Sequence, residues 1–192
     1  MNVELFRTVG GSHLYGLAHA GSDVDMTVVT NSRAQRAQHL YVGEEDHMHL
    51  GFDYLLRQAQ AGSHQSCEAA FSRSKVFTRQ GEPYRAMLSG LRVTSPEAFA
   101  KYERTITLFS FGDFKRRRHA VRLAFNLRDL RRSGRFDPEL TPIQQALVNA
   151  YAKVLRDADL VAQLLPGRGT RSEDTARLRR EGRRFGRSCE DA

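Results

Sequence analysis

Two aspartates stand two residues apart where a glycine-rich stretch meets a β-rich segment, and this pattern constrains the fold most. Asp23 and Asp25 flank Val24 and lead into the run Met26–Val29. Because side chains alternate along a strand, both carboxylates should face one side of a sheet while Val24 faces the other. Like charges this close raise each other's pKa unless a cation lies between them. The pattern therefore predicts a site for a hard divalent cation such as Mg²⁺, which prefers carboxylate oxygens.

A second feature, Gly10-Gly11-Ser12, ends an extended segment upstream of the aspartates. Glycine lets backbone N–H groups approach a phosphate closely, and Ser12 adds a hydroxyl. Either motif alone is common in loops, but a phosphate-binding turn followed by a carboxylate pair is what metal-assisted phosphoryl or nucleotidyl transfer requires. With two metal ions, a third carboxylate normally holds the second ion and helps to activate the attacking hydroxyl. Asp46 and Asp53 are the candidates.

Histidines in the first 50 residues raise the alternative of a zinc site. The histidines considered for it are His13, His19, His47 and His49. His47 and His49 share a strand face, but no cysteine or third histidine completes a convincing set of zinc ligands. Two cysteines, Cys67 and Cys189, cannot form a zinc site alone, and nothing in their placement indicates an oxidising compartment.

Basic residues are concentrated in one part of the chain. The formal charge is +8, and the 30 basic side chains are 26 Arg and 4 Lys. Nine of them lie in the segment Lys115–Arg135, against the single acid Asp129. A coding bias towards arginine would explain the composition, whereas a local excess favours an anionic partner such as a nucleotide or nucleic acid.

The organisation of the chain is that of an α+β protein. The 192 residues, 40% of them hydrophobic, suit a small β-rich core followed by helices. Residues 1–92 are predicted to form the core, residues 93–166 a helical region, and residues 167–192 an Arg-rich tail that is either a weak helix or mobile. No apolar run approaches the roughly 20 residues of a membrane span, and no secretory signal is visible, so we expect a soluble cytoplasmic protein with no membrane partner.

Periodicity predicts the elements themselves. Short strands are expected before Gly10, at Asp25–Val29, around 39–42 and around 46–50, with a short helix at 12–18. Helices are expected at Phe52–Ala61, Gln65–Ser72 and Pro83–Ser89, with a helix start at Ser95-Pro96. Two long helices are expected at 111–133 and 142–165.

These motifs resemble the nucleotidyltransferase superfamily, which has a DNA-polymerase-beta-like fold. That superfamily combines Gly-Ser with a later Asp-x-Asp and a third acid on a neighbouring strand. More narrowly, residues 11–18 and 21–25 resemble the YcgL-type predicted nucleotidyltransferases of bacteria and phages, although His13 stands where that group usually has Arg. The resemblance implies a small mixed β-sheet core, Mg²⁺ or Mn²⁺ on Asp23, Asp25 and Asp46, and nucleotide phosphates on Gly11, Ser12 and Ser22.

The resemblance continues to about residue 135. Residues 46–68 are similar to that group's third-acid strand, helix and Gly-Asn-Pro-x-x-x-Glu segment, with Ser63 and His64 replacing Asn and Pro. Residues 115–123 are similar to its Lys-x-x-x-His-x-x-Arg-Leu helix. Spacings of four and three put Lys115, His119 and Arg122 on one helix face. The expected role of that face is nucleotide binding, the alternative being a solvated basic surface.

The resulting hypothesis is a metal-dependent nucleotidyltransferase that moves a nucleoside monophosphate from a nucleoside triphosphate, such as ATP, to an acceptor hydroxyl. The acceptor is left open among RNA or another nucleic acid, a protein hydroxyl and a small molecule. One alternative is a non-catalytic nucleotide- or RNA-binding protein on the same scaffold. A basic helical DNA-binding module is weaker, because no recognition-helix motif is evident.

Overall fold

A five-stranded mixed sheet and eight helices make up the described part of the chain, residues 2–43 and 45–166 of a computed structural model. The predicted α+β class is confirmed. In chain order the elements are β1 Glu4–Val9, α1 Gly11–Leu14, β2 Val24–Thr30, β3 Gln38–Val42, β4 Glu45–Gly51, α2 Phe52–Gln60, α3 His64–Phe71, β5 Val76–Phe77, α4 Tyr84–Gly90, α5 Pro96–Ser110, α6 Phe114–Ser133, α7 Pro142–Val154 and α8 Asp157–Leu164.

The sheet order, β3-β4-β2-β1-β5, explains how distant residues become neighbours. After β2 the chain crosses to the edge strand β3 and returns through a hairpin, so that β4 lies beside β2 and runs parallel to it. The other neighbouring strands are antiparallel. This one parallel pair sets Asp25 directly opposite Asp46.

The helices follow the predicted pattern with three corrections. The short helix expected at 12–18 covers only Gly11–Leu14. The long helix expected at 142–165 is wrong, because Leu155 and Arg156 are extended and divide it into α7 and α8. The break lets Val148 of α7 and Leu160 of α8 both become fully buried. The helix expected from residue 111 begins at Phe114 instead, because the Asp113 side chain accepts a hydrogen bond from the Arg116 N–H at 2.8 Å and so caps α6.

One cluster of buried apolar side chains runs through the described residues from Leu5 to Leu165. It includes side chains from both sides of the predicted boundary at residue 92, and α5, α6 and α7 pack in succession. The division into a core and a helical region stays a prediction. The Arg-rich tail predicted at 167–192 lies outside the described residues. Among the described helices, none has the length and apolar character needed to cross a membrane.

Gly62, which follows α2, packs closely against α5. It ends α2 with a φ of +76°, and a Cβ there would lie 2.7 Å from the Ala98 backbone in α5. Gly43, in the β3–β4 turn, has a φ of +64° but open space around it. The two glycines therefore share the left-handed backbone and differ in packing.

We expect Gly43→Ala to lower the free energy of unfolding by about 1–2 kcal/mol, the usual penalty of a left-handed residue with a Cβ. Gly62→Ala should lower it by a further 1–3 kcal/mol or so, because α5 must shift. Chemical denaturation of both variants measures the difference. Equal losses would show that the α2–α5 contact is not tight.

Candidate active site

Three carboxylates lie at the N-terminal end of the parallel β2–β4 pair. Asp25 and Asp46 are paired across the parallel strands, and Asp23 precedes β2 on the same side as Asp25. All three line one cavity of about 580 Å³. Asp53, the other candidate for the third acid, lies exposed in the first turn of α2 and is not among the lining residues. The geometry favours Asp46.

The charge on Asp25 is costly to maintain in this position. Burial raises the pKa of the Asp25 carboxyl above its usual value, and the nearby Asp46 and Asp23 raise it further. Lys115 and His13 act in the opposite direction. Burial and the two neighbouring carboxylates therefore outweigh the opposing effect of Lys115 and His13 on the pKa of Asp25.

Gly11 is shaped to the aspartate pair. The Gly10 N–H donates to the Asp25 backbone oxygen at 2.7 Å, which ties the start of α1 to β2. Gly11 has a φ of +55°, and a Cβ there would lie 2.8 Å from Asp25 Cγ and overlap its carboxylate. Gly11 and Ser12 both line the cavity, so the predicted glycine-serine turn and the predicted carboxylates do meet.

The loop between α1 and β2 carries Ser22 to the same cavity. The Ser22 hydroxyl accepts a hydrogen bond from the His19 N–H at 2.9 Å, so it already holds the loop turn together. His13 Nε2 donates to the Ser22 carbonyl at 3.3 Å. The residue that replaces the usual Arg therefore contacts the loop beside Asp23.

The face of α6 predicted from spacing enters the cavity from the opposite side. Lys115 is exposed, His119 is partly buried, and Arg122 is fully buried, although all three line the cavity. Burial thus increases along α6 from its first turn. The helix places Lys115 near the surface and Arg122 beneath the floor.

Arg122, which is predicted to bind nucleotide, belongs to a buried network at the cavity. Its Nη1 donates to Glu68 Oε1 at 2.5 Å, and its guanidinium lies 3.6 Å from the centre of the Tyr15 ring. Its side chain is 1% exposed. The Tyr15 hydroxyl donates to the other oxygen of Glu68, and burial raises the pKa of Tyr15 well above its usual value. Arg122 therefore holds the cavity floor in place, and its contact with a nucleotide stays a prediction.

Two further residues at the cavity were not predicted. Arg118 lines it, donates to the Leu17 carbonyl at 2.9 Å, and has a buried Nε without a hydrogen-bond partner among the described residues. Burial lowers the pKa of its guanidinium. Its position three residues after Lys115 and four before Arg122 put it on the predicted face, so the same spacing rule would have found it.

His39 is the second such residue. Its Nδ1 donates to Asp46 Oδ1 at 3.1 Å from the edge strand β3. The contact depends on the β3–β4 register, where Tyr41 rather than His39 is opposite Asp46, and no local sequence signal marks it.

The other basic residues of Lys115–Arg135 have partners elsewhere. Arg117 donates to carbonyls of Gly112 and Ala152, and Arg131 pairs with Glu103. Arg135 donates to carbonyls at the end of α4. The local charge excess is therefore directed at the cavity only through a minority of its members.

Metal ligation by histidine finds no geometric support in the described residues. His47 and His49 alternate with Asp46 along β4 and so lie on the other face of the sheet, where His47 Nε2 donates to Glu45 at 2.7 Å. Burial lowers the pKa of His49. Within residues 2–43 and 45–166, no three His, Cys, Asp or Glu side chains stand close enough together to hold a metal ion as they are.

Comparisons with protein-family models, curated proteins and solved structures found no match to this chain.

The buried ion pair allows a stability test. Arg122→Met leaves Glu68 charged and buried, so we expect unfolding free energy to fall by about 3–5 kcal/mol. The matched control is Arg131→Met, whose pair with Glu103 has the same 2.5 Å separation but an arginine side chain that is 50% exposed. The unfolding free energy of the Arg131→Met variant should fall by no more than about 1 kcal/mol. Denaturant titration measures both, and similar losses would contradict the assignment.

Proposed function

We propose that this protein is a metal-dependent nucleotidyltransferase, with β1–β4 and their helices as the catalytic core. One observation carries the proposal: Asp23, Asp25 and Asp46 line one cavity together with Gly11 and Ser12. The cavity is large enough for a nucleotide, since small-molecule sites range from about 300 to 1,000 Å³. Lys115 and Arg118, on the facing helix, supply cations for phosphate oxygens.

The carboxylates fit the group that this reaction needs. Their oxygens are the donors that Mg²⁺ or Mn²⁺ prefers, and a bound cation would offset the burial and the repulsion from Asp46 and Asp23 that raise the pKa of Asp25. Asp46 accepts a hydrogen bond from His39 and does not form a three-residue set with the other two aspartates, so metal binding would require the three carboxylates to move closer together. When bound, the ion would neutralise phosphate charge and polarise the α-phosphate.

The residues of this chain would supply the phosphate contacts and the proton acceptor. Gly11, Ser12 and Ser22 lie where they can hold phosphate oxygens, and Lys115 and Arg118 add charge-assisted contacts. Asp46 would accept the proton of the acceptor hydroxyl, whose oxygen attacks the α-phosphorus. The bond from the α-phosphorus to its bridging oxygen breaks, and pyrophosphate leaves with that electron pair.

A non-catalytic nucleotide-binding protein on the same scaffold is the second candidate. The contact between His39 and Asp46 favours it, because it occupies the carboxylate that the reaction needs. Nucleotide binding without pyrophosphate release would support this candidate.

The carboxylates can be tested against a matched acid. We expect Asp25→Asn and Asp46→Asn each to lower the rate of transfer about a hundredfold or more, because charge stabilisation at the α-phosphate is lost. Asp53→Asn, an exposed acid outside the cavity, should transfer like the wild type. The assay follows each α-labelled nucleoside triphosphate with Mg²⁺ and total cell RNA or lysate, and measures incorporated label and released pyrophosphate.

Circular dichroism and unfolding curves check that all three variants fold. Full transfer by the folded Asp25→Asn variant would show that the proposed metal site is wrong. Equal activity of the Asp46→Asn variant and the wild type would remove Asp46 from the mechanism.

Arg118 gives an independent test of phosphate binding. We expect Arg118→Gln to weaken tripolyphosphate affinity about tenfold or more, because the substitution removes a partly buried positive charge from the cavity. Arg128→Gln is the control, since Arg128 is exposed on the same helix and pairs with Asp129. Isothermal titration calorimetry compares the three proteins. Equal losses in both variants would indicate non-specific charge attraction.

A further inference from the structure

His119 lies deep in the cavity wall, one helical turn beyond Lys115. Its ring packs edge-on against Tyr15, with centroids 6.2 Å apart, and against Phe109 at 5.9 Å. These contacts come from the end of α1 and from α5, so they restrict the ring from two sides.

The position of the proton on His119 follows from its neighbour. Arg122 Nη2 lies 3.0 Å from His119 Nδ1. A guanidinium can only donate hydrogen bonds, so Nδ1 must accept and carries no proton. The neutral ring therefore has its proton on Nε2, and Nε2–H is the polar group that His119 can offer to the cavity it lines.

Arg122 is unable to turn away and release this arrangement. Glu68 holds one end of its guanidinium, the Tyr15 ring covers it, and the side chain is buried. Moving it would leave the Glu68 carboxylate buried without its cation, which is strongly unfavourable.

The surroundings of His119 also oppose protonation. Burial, together with the charges of Arg122, His64, Lys115 and Arg118, lowers the pKa of His119 to about 2. Glu68 is the acid of this network, and its two oxygens are engaged by Arg122 and Tyr15. His64, on α3, has its own pKa lowered by burial. His119 is consequently uncharged across the physiological range.

A neutral His119 is better suited to the uncharged parts of a nucleotide than to its phosphates. Phosphates are best bound by cations, and Lys115 and Arg118 lie nearer the surface on the same face of α6. A neutral N–H instead matches a carbonyl oxygen, a ring nitrogen or a hydroxyl oxygen.

We propose that His119 recognises the nucleoside moiety of the substrate, donating from Nε2–H to an uncharged acceptor of the base or ribose. The assignment rests on the proposed function for the identity of the ligand. The buried Glu68–Arg122 pair supports this recognition because it keeps the proton of the neutral His119 ring on Nε2.

The tautomer is measured directly in the wild-type protein. Long-range proton–nitrogen NMR of the imidazoles should show His119 neutral and protonated on Nε2, unchanged from about pH 5 to about pH 8. An imidazolium in that range, or a proton on Nδ1, would overturn the proposal. His119→Gln assigns the resonance.

Binding of unphosphorylated ligands tests recognition. Calorimetry with adenosine, guanosine, cytidine, uridine and free ribose identifies the ligand that the wild type binds. His119→Phe should weaken the affinity for that ligand about tenfold, because one hydrogen bond from a buried donor is lost. The affinity for tripolyphosphate should stay unchanged. His119→Gln, which keeps an amide donor, should recover part of the loss.

His49→Phe, on the opposite sheet face, should bind both ligands like the wild type. Because Arg122 loses an acceptor in His119→Phe, retained tripolyphosphate affinity also reports that the cavity is intact. If His119→Phe loses affinity for tripolyphosphate but keeps its affinity for the nucleoside, His119 binds phosphate and the proposal is overturned. Absence of nucleoside or ribose binding by the wild type would also overturn it. Nucleoside recognition without nucleotide transfer would support this assignment while rejecting the catalytic one.

Discussion

The ion pair between Arg122 and Glu68 lies beneath the cavity, and the arrangement of the cavity depends on it. Removing both charges from water is costly, and the pair persists because each partner has several contacts. Glu68 receives hydrogen bonds from Arg122 and Tyr15, while Arg122 also contacts His119 and the Tyr15 ring. The network joins the end of α1, the helix α3 and the helix α6 at one point. The carboxylates, the glycine-serine turn and the basic helix face are thereby held around a common space.

The distribution of charge follows from what each arginine contacts. Arg117 and Arg135 bind backbone carbonyls, Arg131 binds an acid, and Arg122 is buried with Glu68. A guanidinium has five donors in a planar fork, so it can join helix ends and loops as readily as it binds phosphate. The number of arginines therefore overstated the extent of the anion-binding surface. The proposed phosphate-binding cations are Lys115 and Arg118, which face acids across the cavity.

Prediction from sequence succeeded where a property is local. Strands and helices followed alternation and three-four spacing, and the predicted cap at Ser95 depends on a side chain three residues from the backbone N–H that it binds. It failed where packing decides. The break between α7 and α8 has no proline or glycine to mark it, and it serves the burial of Val148 and Leu160. The two-residue strand β5 exists only through its pairing with β1.

By itself, the sequence predicted that Asp23 and Asp25 share a face and that Lys115, His119 and Arg122 lie along one side of a helix. Each of these relations spans a few residues, and backbone geometry alone imposes it. Only the tertiary structure decided that Asp46 stands opposite Asp25, because that depends on a parallel register between strands separated by a hairpin. Tertiary contacts also separated the three residues of the helix face. Lys115 remains at the surface, His119 becomes a neutral donor, and Arg122 is buried, because burial and the nearest charge set the protonation and reach of a side chain.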